Sequence, residues 1–110
     1  MLDLRLYMLQ RLSALILAPL VLTHIGVMIY AVQGGLSAAE ILGRTQGSIP
    51  WMLFYGLFVA AVSVHASIGV RAVAAEWFGV RGTTLSGLTL AVFAILGILG
   101  ARAVYAVTAL

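Results

Sequence analysis

A chain of 110 residues that is 64% hydrophobic and only 8% charged, with a mean hydropathy of +1.18, carries more apolar surface than a soluble domain of this size can enclose. Lipid must therefore be the solvent for much of it. The net charge of +3 comes from six arginines and no lysine; they are scattered and flank apolar segments, which reads as a membrane-topology signal and excludes a nucleic-acid patch. Without cysteine the chain offers no disulfide, no thiolate ligation of an iron–sulfur cluster and no thiol catalysis.

The N-terminus, Met1-Leu2-Asp3-Leu4-Arg5, does not read as a secretory signal, because the apolar span that follows is too long and lacks a clean cleavage site. The absence of an Arg/Ser-rich presequence favours a prokaryotic protein or an already processed one. The first span runs from about Leu12 to Val32, roughly the 20 residues needed to cross a ~30 Å hydrocarbon core. Pro19 lies within it and removes a helical hydrogen bond, which predicts a modest kink. The polar break Gln33-Gly34-Gly35 is followed by Leu36 to Gly47. There Glu40 and Arg44, at an i,i+4 spacing in the favourable order, predict a short interfacial helix. Ser48-Ile49-Pro50 opens the second span, with Pro50 near its first turn and Trp51 at the interface. That span runs from Trp51 to about Ala75 and ends in Glu76-Trp77. The loop Gly79-Val80-Arg81-Gly82 leads to a third span, about Leu85 to Val104, whose Gly87, Gly97 and Gly100 permit close helix approach. The fold class is thus an all-α membrane protein: a single domain over residues 1–110 with three transmembrane helices and a short interfacial helix, built to join a larger helical bundle.

Arginine placement gives the topology. Arg5, Arg11, Arg71 and Arg81 fall on one side, Arg44 and Arg102 on the other, so the N-terminus is expected in the cytoplasm and the C-terminus outside.

Two histidines are present, and both lie inside apolar spans. An imidazole stranded there is costly without a partner and marks a functional site by default. On a helix turning about 100° per residue, Ala61, His65 and Gly69 share a face. Small residues one turn above and below an imidazole leave a flat slot of the kind a porphyrin needs. The competing reading is a histidine bonded to a carbonyl or serine of a neighbouring helix. His24 shares a stripe with Gln10, Ser13, Leu17 and Leu20, and its competing reading is a hydrogen-bonded core histidine. At about 1.5 Å per residue, His24 lies roughly 20 Å beyond Arg11 whereas His65 lies about 9 Å from Arg71. The two are then on the order of 10 Å apart in depth, so one haem ligated by both is not expected. Two haems, each taking its second ligand from a partner subunit, fit better.

The cytoplasmic end gathers Tyr7, Gln10, Arg11 and Ser13 from the first span with Arg71, Glu76 and Trp77 from the second. Arginine keeps its charge and seeks carboxylates, such as haem propionates, or the interface. Tyr7, Ser13 and Arg11 also offer the donors that a quinone head group requires. Snorkelling to lipid head groups is the alternative for each, and the expected role of Arg5 and Arg81. Met8, Met28 and Met52 are expected to pack or face lipid.

Gln10-Arg11-Leu12-Ser13-Ala14 at the opening of a first span resembles the Arg-x-Ser/Thr segment of the small membrane-anchor subunits of succinate dehydrogenase and fumarate reductase. His65-x-x-x-Gly69-x-Arg71, with Glu76 beyond it, resembles the second-helix haem motif of those anchors, and the three-span length matches over essentially the whole chain. The resemblance implies a non-catalytic anchor in a prokaryotic cytoplasmic membrane. It would pair with a second anchor subunit, or a second copy of itself, and hold a flavoprotein and an iron–sulfur subunit. Electrons would pass between succinate and quinone. His65 would be an axial ligand of haem b, and His24 would match the extra first-helix histidine of two-haem anchors. Arg11 and Ser13 would line the quinone site or meet a propionate. Two departures stand out: Ala72 occupies the place of a second histidine, and Glu76-Trp77 replaces a common Asp-Tyr, so that Trp77 could donate only through its indole N–H.

Two other classes compete. A small structural subunit of a respiratory or photosynthetic complex would use its histidines only for packing. A small multidrug-type transporter would need four spans and a carboxylate within the first, whereas Asp3, Glu40 and Glu76 all lie at or beyond span ends.

Overall fold

The computed structural model describes residues 3–110; Met1 and Leu2, the start of the segment read as lacking a signal sequence, lie outside it. Four helices follow in order, α1 (Leu4–Gly34), α2 (Ala38–Thr45), α3 (Ile49–Phe78) and α4 (Gly82–Thr108), with no strand among the described residues. Three of them, α1, α3 and α4, are long and apolar enough to cross a membrane. Their 31, 30 and 27 residues correspond to roughly 40–46 Å at 1.5 Å per residue, more than the ~30 Å hydrocarbon core. The helices therefore overrun the apolar spans at both ends. Helix α1 begins at Leu4 rather than Leu12, because Asp3 caps it by accepting the Leu6 N–H at 2.9 Å, and the polar residues that follow can be solvated in the interface. Pro19 does not interrupt it: the helix is continuous from Leu4 to Gly34.

Helix α3 is the centre of the bundle, packed by α1 on one side and α4 on the other. The stripe expected on α1 is the face turned inward: Ser13 is buried, and Gln10, Leu17, Leu20 and His24 are half-buried. The interior is small-residue packing, with Ala61, Ser63, Ser67, Ile68 and Ala74 of α3 all buried. In lipid no hydrophobic force separates helices from tails, so close van der Waals approach of backbones has to supply cohesion. At Gly100 that approach is closest: an added Cβ would overlap the Val59 side chain. Gly97 is also turned toward α3, its nearest neighbour being Ser63 Oγ at 3.9 Å. Gly87 meets nothing within 4 Å, so its expected packing role does not hold. Ten residues before Gly97, it is rotated about 80° away from that face.

Most hydroxyls bond back to their own helix, as Ser63 does to the Val59 carbonyl and Thr108 to the Val104 carbonyl. Three also reach a second helix. Ser13 joins α1 to α3, Thr89 joins α4 to α3, and Thr45 joins α2 to α4 by donating to the Val107 carbonyl at 2.6 Å. The α2 end is tightened further by the Gly47 N–H on the Thr108 carbonyl at 2.7 Å.

The interfacial helix is present, at Ala38–Thr45, but the Glu40–Arg44 pair is not formed. Ser37 Oγ donates to Glu40 Oε1 at 2.6 Å and accepts the Glu40 N–H at 3.1 Å, while Arg44 donates to the Gly35 carbonyl at 3.0 Å. In so short a helix the orphan backbone groups at its ends compete successfully for both side chains. Gly35, at φ +118°, has no room for a Cβ beside the Glu40 carboxylate.

Substituting Gly100→Leu should force α3 and α4 apart and destabilise the folded protein by about 1–3 kcal/mol. Gly87→Leu should leave the thermal midpoint of the solubilised protein unchanged. Equal effects of the two substitutions would contradict the packing described here.

Candidate functional site

The two histidines occupy different halves of the bundle. His65 lies where α3 crosses α1, with Nδ1 3.2 Å from Ser13 Oγ. Ser13 is 5% exposed, and its Oγ also stands 3.0 Å from the carbonyl of Gln10. Gly69 faces α1 there: a Cβ added to it would sit 3.7 Å from Gln10 Nε2, an ordinary contact. The hydrogen bond to a neighbouring helix's serine, which the competing reading of His65 required, is therefore formed. It engages Nδ1 only; Nε2 has no hydrogen-bond partner among the described residues. A satisfied core histidine and an axial ligand are thus not alternatives here, because an iron-ligating imidazole needs its second nitrogen held in this way.

His65 borders two grooves. One, of about 640 Å³, is lined by His65, Ala66, Gly69, Val70 and Val73 of α3 and closed by Phe78, Val80 and Leu88. Its lining is apolar apart from His65, with small residues at Ala66, Gly69 and Ala74. Of the face expected from sequence, His65 and Gly69 line this groove but Ala61 does not: it is buried inside the bundle, and the other small residues of the lining are Ala66 and Ala74. The other groove, of about 750 Å³, runs along α1 and is lined by Tyr7, Gln10, Arg11, Leu12, Leu15 and His65 among others. Arg11 donates to Tyr7 Oη at 3.2 Å, and its guanidinium carbon lies 5.6 Å from the centre of that ring. Gln10 Oε1 is buried with no hydrogen-bond partner.

His24 lies at another level. Ser13 and His65 are side by side, and His24 is 11 residues further along α1, or about 16 Å at 1.5 Å per residue. Its ring meets Phe58 and Tyr55 edge-on, at centroid distances of 5.2 and 6.1 Å. It makes no hydrogen bond to any described residue, so the hydrogen-bonded core reading finds no partner among them. His24 borders a cavity of about 590 Å³ between α3, α4 and α2, walled by Phe58, Val59, Val62 and Leu96.

Of the residues singled out from sequence, Tyr7, Arg11, Ser13 and His65 come together. Arg71 does not join them: it is turned to α4, where it donates to Thr89 Oγ1 at 3.4 Å. Trp77, 78% exposed at the end of α3, lines neither groove at His65. Gln10 acquires a more specific place than its sequence suggested, because its unpaired acceptor becomes apparent only once α3 is laid against it.

The sequence model of the family described as Succinate dehydrogenase/Fumarate reductase transmembrane subunit matches residues 2–105. The match takes in nearly the whole chain, and the chain belongs to that family. No individual curated protein and no solved structure matches it.

The only partner of Arg11 among the described side chains is the exposed Tyr7, so Arg11→Ala should change folding stability by no more than about 0.5 kcal/mol. A thermal midpoint within a degree or two of the unsubstituted protein checks this; a large drop would assign Arg11 a structural role.

Proposed function

We propose, from membership of that family, that this chain is a membrane anchor of a succinate:quinone oxidoreductase that holds haem b and forms part of the quinone site. The observation that carries the reading is His65 itself. Its Nδ1 is tied to Ser13, its Nε2 has no hydrogen-bond partner among the described residues, and it borders both an apolar groove and a groove bearing Tyr7, Gln10 and Arg11. Haem b, when bound, supplies a one-electron carrier within the membrane. The residues that would hold it are His65, through its unengaged ring nitrogen, with Ala66 and Gly69 lining the groove beside it. A further ligand would come from a partner anchor, either a different subunit or a second copy of this chain. His24, about 16 Å along α1 from the level of His65, cannot complete the same site; it is proposed as a ligand of a second haem in the cavity it borders.

The groove along α1 suits a quinone head group. Reduction of a quinone adds two electrons and two protons, so the site must donate to the carbonyl oxygens and accept from the hydroxyls of the product. Arg11 and Tyr7 are donors at its mouth, and Gln10 Oε1 is an acceptor without a partner. Arg71, held by Thr89, retains further N–H groups for a propionate. Trp77 at the end of α3 is proposed to meet the quinone or the docked subunits through its indole N–H. With the N-terminus in the cytoplasm of a prokaryotic cell, this end of the bundle faces the flavoprotein and iron–sulfur subunits. Electrons reach the groove from the iron–sulfur partner, and the succinate chemistry is confined to the flavoprotein.

In the purified complex, His65→Ala should remove the contribution of one haem from the b-type signal in the reduced-minus-oxidised spectrum. An unchanged signal would remove His65 from the haem site. His24→Ala should lower the haem content of the complex by the one haem it helps to hold, whereas full retention would show that His24 only packs. Arg11→Ala should cut quinone reductase kcat/KM by about 10- to 100-fold, the loss expected for one charge-assisted hydrogen bond. Succinate oxidation by an artificial acceptor should fall far less; equal losses in both assays would place Arg11 outside the quinone site.

A further inference from the structure

Ser13 Oγ faces two groups at once, the Gln10 carbonyl at 3.0 Å and His65 Nδ1 at 3.2 Å, and has a single proton to share between them. The carbonyl oxygen can only accept. Were the serine proton turned to His65, the Ser13 and Gln10 oxygens would face each other without a hydrogen between them, in a site where Ser13 is 5% exposed. Such an unpaired contact is costly in apolar surroundings. The imidazole would then carry its proton on Nε2, which has no hydrogen-bond acceptor among the described residues. Both arguments favour the same arrangement: Ser13 donates to the Gln10 carbonyl and accepts the Nδ1–H of His65.

We propose that Ser13 is the positioning residue of the haem site, fixing His65 in the Nδ1–H tautomer and thereby keeping the Nε2 lone pair available to iron. The proposal rests on the haem reading above. It assigns Ser13 a role other than contact with quinone or propionate, since its one proton is committed to the Gln10 carbonyl and the residue is only 5% exposed inside the α1–α3 crossing. It also has an electronic consequence. An imidazole that donates a hydrogen bond from its distal nitrogen is a more basic ligand. It stabilises the more highly charged ferric iron and lowers the midpoint potential. The turn of α1 that performs this, Gln10 to Ser13, is the same turn whose Gln10 and Arg11 side chains line the quinone groove. Redox tuning and quinone binding therefore share one helical turn.

The test uses the purified complex with Ser13→Ala and Ser13→Thr, measuring haem content, the midpoint potential of the b-type signal and the paramagnetic resonance of the ferric form. Ser13→Ala should retain haem, because the ligand itself is intact, but shift the potential upward and alter the ferric spectrum. Ser13→Thr, which keeps the hydroxyl, should restore both. A wild-type potential and ferric spectrum in Ser13→Ala overturn the proposal while leaving the haem assignment standing. An unsubstituted complex without b-type haem, or a full signal in His65→Ala, overturns the haem assignment and the proposal with it. If Ser13→Ala fails to assemble, Ser13→Cys serves, keeping the volume but accepting weakly: an upward shift supports the tautomer role and an unshifted potential overturns it.

Discussion

Water is absent from the middle of a bilayer, and each polar group there must find its partner within the protein. The Ser13–His65 contact is where this constraint shapes the molecule most. It is the one side-chain hydrogen bond between α1 and α3 among the described residues, and it sets the register of those helices as firmly as the small residues that let them approach. Sliding α1 by one turn, about 5.4 Å, would leave His65 without Ser13, and Gly69 would no longer lie beside Gln10. The other hydroxyls are neutral in this respect. Ser63, Ser67 and Thr108 return their protons to their own helices, so they fill the interior without selecting a partner.

The two ends of the bundle differ for the same reason. At the α2 end, Thr45 and Gly47 are bonded to the last turn of α4, and Trp51 stacks on Tyr55 at a centroid distance of 5.5 Å. That end is cross-linked and largely self-sufficient. At the opposite end, Tyr7, Arg11, Glu76, Trp77 and Phe78 are exposed, and Gln10 keeps an acceptor unpaired. The incomplete end is the one where the chain places its arginine-bearing groove, and an incomplete polar surface at a membrane face is what a docked subunit would complete.

Much of this was legible in the sequence, because lipid imposes simple rules. Apolar length gave the spans, and the 3.6-residue period gave the inward stripe from Gln10 to His24. The overrun of α1 to Leu4 was not legible from hydropathy, since a capped helix continues into the interface where polar residues cost nothing. The Glu40–Arg44 pairing failed because i,i+4 spacing says that two charges are neighbours, not that they lack better partners in Ser37 and the Gly35 carbonyl. Arg71 was placed by its proximity to His65 along one helix. Only the packing of α4 supplied Thr89 and turned the guanidinium to the other side. The Ser13–His65 contact joins residues 52 apart in sequence. Each could be singled out alone as a polar group in an apolar span, but their pairing depends on the crossing of α1 and α3.

Depth decides how far one chain can go toward a cofactor site. Two imidazoles ligating one iron must face each other across a single metal, and about 16 Å of helix separates the level of Ser13 and His65 from that of His24. No rotation of side chains closes such a gap. On the proposed haem reading, each histidine would therefore contribute one ligand to a site that a second polypeptide must complete. The apolar faces of α1 and α4 that remain exposed, Leu15, Leu22, Ile95 and Leu99 among them, are compatible with lipid and with a second bundle alike, so they do not determine the partner. The proposed haem sites would. If His65 ligates haem as proposed, a partner anchor has to bring an imidazole, or an equivalent ligand, to the level of Ser13. If His24 is also a ligand, it must bring another to that level as well, and this spacing constrains the assembly more tightly than any apolar surface on the chain.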